Sequence, residues 1–176
     1  VLSRASLAPL PLGADGNYTC DTYLESQLCL REKALLTSVS FYLDAPIKHS
    51  WPATRFGVWR PVRAAGAPGL NSSHFLLRWS SATLQRQWLG AHIVLLGEGI
   101  AVRRGDCLGW SACGNLPIPF DEPRAGGFGG LAVRLGSRAL PRAGEVHGPF
   151  QAAPPRHYSL AGGLWDSGST SAALGA

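Results

Sequence analysis

Apolar and polar positions alternate along much of this chain. In residues 35–43, Leu35, Thr37, Val39, Phe41 and Leu43 fall on one face, and Leu36, Ser38, Ser40 and Tyr42 on the other. That is the period of two which an extended strand imposes. Similar runs, rich in Val, Leu, Phe, Tyr and Trp and bounded by Gly, Pro, Asn or Ser, occupy 54–62, 74–80, 91–97, 99–105, 107–112, 130–136 and 156–162. Only 25–36 and 81–90 have spacing for a helical turn or two, and neither carries a full amphipathic stripe. Seven or eight short strands without a βαβ rhythm, with Gly 22 and Pro 13 to supply turns, predict an all-β fold. The expected architecture is an antiparallel two-sheet sandwich, jelly-roll-like, with short helical turns at most.

The ends differ from the middle. Residues 1–16, VLSRASLAPLPLGADG, hold two prolines and two glycines without a period and are expected to form an arm or linker. Residues 166–176, DSGSTSAALGA, are small and polar, as in a flexible tail. Residues 17–165 are then one β-sandwich domain, and 176 residues with 45% hydrophobic content suffice for one buried core. A chain beginning at Val1 is expected to be a processed or excised piece.

Composition adds a compartment. Cys20, Cys29, Cys107 and Cys113 lack the Cys-x-x-Cys spacing of a zinc site and are expected to form disulfides. Proximity favours Cys20 with Cys29 and Cys107 with Cys113, although four cysteines allow three connectivities. Asn17 in NYT and Asn71 in NSS are glycosylation acceptors, and there is no methionine. Together these predict a glycoprotein that is secreted or the ectodomain of a cell-surface protein. The formal charge of +5 comes almost entirely from arginines spread singly along the chain, with Lys33 and Lys48 the two lysines. Without clusters or interleaved aromatics, no nucleic-acid partner is expected. No apolar run reaches the length of a membrane helix, so no membrane insertion is expected either.

Chemistry is sparse. Gly-x-Ser-x-Gly is absent, and His49, His74, His92, His147 and His157 lack the i, i+2 or i, i+4 spacing of a metal pair. The Asp-Ser-Gly in LWDSGST (164–170) has no second copy to form an aspartic-protease pair. Asp106, Asp121, Glu122 and Asp44 offer oxygen ligands for calcium, but no dense acidic loop gathers them. No enzyme, no metal and no cofactor are expected.

Two surface features remain. Among six tryptophans, Trp51 and Trp88 lie in loop-like stretches and are the expected exposed aromatics. Arg104-Gly105-Asp106 spells an adhesive tripeptide, so Arg104 and Asp106 are candidate ligand-binding residues. The same letters describe a turn in which Gly105 takes a positive φ and Asp106 bonds nearby backbone, and the turn is the expectation.

FGVWRPV (56–62), followed by GIAVRRGDCLGWSACGNLPIPFDE (99–122), resembles β-sandwich modules of large extracellular animal proteins of adhesive, lectin-bearing or receptor type. In those modules a Trp-Arg-Pro strand precedes a Gly-Asp-x-(Ile/Leu)-Gly-Trp strand and a Pro-Ile-Pro-Phe/Tyr-Asp segment. The resemblance implies the fold and the compartment, and no activity common to such modules. The expected function is non-catalytic adhesion or assembly with other extracellular proteins, self-assembly included. The alternative is a carbohydrate-binding, lectin-like domain that recognises glycans with exposed Trp and loop Asp or Asn.

Overall fold

A computed structural model of the chain describes residues 19–43, 54–62, 73–84, 89–113, 118, 120–121, 130–153, 157–166 and 169–174. Its elements are strands, in chain order β1 (Cys20–Cys29), β2 (Ala34–Leu43), β3 (Thr54–Pro61), β4 (Phe75–Ser80), β5 (Gly90–Val102), β6 (Cys107–Cys113), β7 (Phe120–Asp121), β8 (Leu131–Ser137), β9 (Val146–His147), β10 (Gln151–Ala153), β11 (His157–Tyr158), β12 (Leu160–Asp166) and β13 (Ser169–Leu174). Seven make one sheet in the order β10-β8-β1-β6-β3-β4-β9, four make a second in the order β13-β12-β2-β5, and β7 pairs with β11 separately. The pairings are antiparallel, so the expected all-β, two-sheet sandwich is the observed one.

The sheets meet through one apolar layer. From the smaller sheet come Leu36, Val39, Phe41, Leu43 and Leu160, and from the larger Tyr23, Phe56, Val58, Leu108 and Trp110. The Phe41 and Phe56 rings approach to 4.8 Å across the layer, and Tyr23 stacks on Trp110 at 5.3 Å. Fully burying each such side chain contributes about 1.5–3 kcal/mol. The larger sheet is covered on its other face too. After β8 the chain returns over it, setting Phe150 edge-on against Phe75 and Trp59 beside Leu24, Leu77 and Ala132. Backbone bonds from Gly144 to Leu77, Leu77 to Glu145 and Phe150 to Ser73 hold that return in place.

Double burial explains where periodicity misleads. β6, CLGWSAC, is buried at every position, and in β1 Tyr23 faces one core while Leu24 faces the other. Between the two strands Thr22 and Ser111 satisfy each other at 2.8 Å. The helical turn expected within 25–36 is therefore replaced by the end of β1, a short connection and the start of β2. The other stretch, 81–90, begins extended, with Ser81 and Leu84 donating their N–H groups to Phe56 and Thr54 of β3. The runs 91–97 and 99–105 join into the single strand β5.

Two further expectations are corrected. The segment 166–176, expected as a flexible tail, supplies β13 over Ser169–Leu174, because backbone pairing with β12 needs no apolar side chains. In β2, strict alternation is broken by a register shift between Leu36 and Ser38, so Leu36, 2% exposed, shares the buried face of Val39, Phe41 and Leu43 in place of Leu35 and Thr37. One extra residue in a strand moves every side chain before it to the other face.

The disulfides are Cys20–Cys113 and Cys29–Cys107, and the local pairs favoured by sequence proximity do not form. Extended backbone rises about 3.3 Å per residue, which places the two ends of a ten-residue strand roughly 30 Å apart. Cys20 and Cys29 cap β1, Cys107 and Cys113 cap β6, and the antiparallel register sets each cysteine opposite one on the neighbouring strand. Between Leu24 and Cys29 that register is interrupted, and Cys29–Cys107 fastens its far side.

Gly109 marks the closest approach of these two strands. A Cβ there would lie 2.5 Å from the Tyr23 carbonyl oxygen and against Leu24. A carbonyl in a paired strand cannot swing aside as a side-chain tip can. Gly109→Ala is expected to cost about 3 kcal/mol, the upper end of overpacking penalties. Urea unfolding measures it, and an unchanged midpoint would show that β1 and β6 part easily at this point.

Candidate functional site

Arg104-Gly105-Asp106 lies in the turn from β5 to β6. The Asp106 N–H donates to the Arg103 carbonyl at 3.0 Å, and Gly105 has φ of 88°, as the third residue of a type II turn requires. Two further 2.8 Å bonds stitch this turn to the β1–β2 connection, Gly105 N–H to the Leu30 carbonyl and Leu30 N–H to the Asp106 carbonyl. The Asp106 side chain is 1% exposed. Its carboxylate accepts Nε and Nη2 of Arg60 at 2.7 Å each and the Arg103 backbone N–H at 3.0 Å. The hydrogen bond to Asp106 raises the Arg60 pKa above its ordinary value, so the guanidinium stays charged. This corrects Asp106 as a ligand-binding or calcium-binding candidate, because its carboxylate is turned inward and committed to Arg60 and the turn. Arg104 is exposed.

Arg60 also lines an open cleft of about 890 Å³, together with Lys33, Arg78, Arg103 and Trp165. These side chains come from the β1–β2 connection, β3, β4, the β5–β6 turn and β12. Trp165, Leu35 and Ala101 are successive cross-strand partners in β12, β2 and β5, and all three border the cleft. Trp165 is 55% exposed. Among the described residues no Asp or Glu lines the cleft, and Lys33, Arg78 and Arg103 form no ion pair. Arg60 is neutralised and fixed by Asp106, and Lys33, Arg78 and Arg103 are exposed with no counter-charge among the described residues.

β5 presents a surface of a different kind. Among the described residues it is the longest strand and stands at an edge of its sheet, paired with β2 alone. The larger sheet ends in the three-residue β10 and the two-residue β9, the short edges that discourage further pairing. Along β5, Val94 and Leu96 turn toward the core while Ala91, Ile93 and Leu95 face out, with Ile93 67% and Leu95 79% exposed. Their partners across β2 on that face are Tyr42, Ser40 and Ser38, so the serines leave the two large side chains uncovered. From Leu89 to Gly97 there is no Asp, Glu, Lys or Arg.

Other predicted positions divide simply. Asn17, Asn71, Trp51 and Trp88 lie outside the described residues. Trp59 and Trp110 are core, Trp79 packs against it, and Trp165 is the exposed tryptophan that loop-based reasoning passed over because it stands in a Gly-rich strand near the domain end. Nothing in the linear spacing marks Lys33, Arg60, Arg78 and Arg103 as neighbours, since each stands on a different element. No family model, curated protein or solved structure matches the chain.

Proposed function

We propose that this chain is a non-catalytic, extracellular β-sandwich module that assembles with other protein chains through its β5 edge, the first occupant being a second copy of itself. The compartment is supported by the two disulfides, which form and persist where the milieu is oxidising. The observation that carries assembly is the open β5 edge with Ile93 and Leu95 standing exposed beside it. An unpaired strand edge offers a row of free N–H and C=O groups to another strand. A second copy suits this edge because two-fold contacts set a residue near its own counterpart, where charge repels itself. The chain carries a formal net charge of +5, yet residues 89–97 carry no formal charge. Antiparallel pairing of β5 with itself about Ile93 would join two four-stranded sheets into one of eight strands.

Native mass of the purified, disulfide-intact chain across a concentration series tests this. A reversible dimer is expected. Leu95→Lys should weaken it about a hundredfold, since the change enters a two-fold contact twice and each 1.4 kcal/mol is a factor of ten. A monomer at every concentration, or a dimer indifferent to Leu95→Lys, would refute pairing through this edge.

A further inference from the structure

We infer that the basic cleft is a binding site for an anionic saccharide, a chain bearing sulfate or carboxylate groups. The inference is independent of β5 self-pairing, because its charged determinants stand outside the exposed edge.

Four observations meet in one place. The cleft, about 890 Å³, belongs with small-ligand sites in size and is open, so a polymer can enter and continue beyond it. Its charged wall is cationic, and Lys33, Arg78 and Arg103 have no carboxylate partner among the described residues. Cations gathered without counter-charges repel one another, a cost that an anionic ligand removes. Arg60 is held rigid by its two 2.7 Å bonds to Asp106, so part of the wall is ordered before any ligand arrives. Guanidinium forks match the paired oxygens of sulfate and carboxylate.

Trp165 selects among anionic partners. Its exposed indole stands on the outer face of β12, in a row with Leu35 and Ala101. An aromatic face beside cations suits a ligand that alternates charge with flat C–H surface, as a sulfated or uronate-bearing sugar chain does. An acidic peptide needs the cations and has no comparable use for the indole.

The experiment measures binding of the intact chain to a sulfated glycosaminoglycan oligosaccharide, to the same oligosaccharide after desulfation and carboxyl reduction, and to a poly-glutamate peptide. Arg78→Gln with Arg103→Gln is the cleft variant. Arg138→Gln with Arg142→Gln is the control, an equal loss of charge at exposed positions elsewhere. Arg60 is left unchanged, because its loss would disturb the turn. The cleft variant should lose about tenfold or more in affinity for the sulfated chain, and the control about twofold or less. Trp165→Ala should weaken the saccharide several-fold and leave peptide binding unchanged. Binding should fall as salt rises. Equal losses in the cleft and control variants would reveal general electrostatic attraction and overturn the site. Equal binding of the neutral oligosaccharide, or poly-glutamate binding as tight as the sulfated chain and equally sensitive to Trp165→Ala, would overturn the ligand class.

Discussion

Replacing all four cysteines is expected to unfold this domain, while deleting either disulfide alone leaves it folded at a cost of about 3 kcal/mol. Both bridges join the same two strands, so their effects are coupled. Closing the 93-residue separation of Cys20–Cys113 restricts the unfolded chain by about 4.6 kcal/mol on the loop-entropy scale. With that bridge in place, Cys29–Cys107 closes only a ring of roughly fifteen residues through β1 and β6, about 3 kcal/mol. Losing both therefore removes about 7–8 kcal/mol, comparable with the whole stability of an ordinary domain at about 5–15 kcal/mol. The double loss exceeds the sum of the two single losses. Local pairs Cys20–Cys29 and Cys107–Cys113 would behave additively, because they close separate small rings. Denaturant unfolding of the two paired variants and the quadruple variant distinguishes the cases, and peptide mapping without reduction should recover the residue 20 and 113 peptides joined.

Asp106→Ala is expected to be the most damaging single side-chain change in the turn, at about 3 kcal/mol. Its carboxylate, 1% exposed, accepts three hydrogen bonds. Truncation leaves the Arg60 guanidinium without its anion and the Arg103 N–H without its acceptor. Losing one partner of a buried ion pair costs about 3–5 kcal/mol, and Arg60, 26% exposed, recovers some hydration, which places the expected value at the low end. For a domain of this size that is a fall in Tm of about 6–12 °C. Asp106→Asn should recover little, because an amide nitrogen would face the guanidinium. Arg104→Ala, at an exposed position, should change stability by less than about 0.5 kcal/mol. Thermal unfolding of the three variants tests the contrast. If Asp106→Ala were as benign as Arg104→Ala, the carboxylate could not be holding the turn.

Strand-forming character, the sandwich class and the importance of the Gly-Asp turn were legible in the residues themselves. They rest on local physics: alternating side chains in β2, the β-branched and aromatic residues of β3, and a glycine where φ must be positive. The tertiary structure decided matters that depend on which elements become neighbours. β1 escaped notice because burial on both faces erases the alternation by which a half-buried strand is recognised. Cysteine pairing followed the β1–β6 register and not distance along the chain, since an extended strand drives its own ends apart. Asp106 changed from a possible adhesive group into a buried anchor because Arg60, 46 residues earlier, is carried to it by β3. Arginines that look scattered in sequence converge for the same reason. Period and turn chemistry are properties of a few consecutive residues, whereas partners, charge clusters and exposed edges exist only after distant strands have paired.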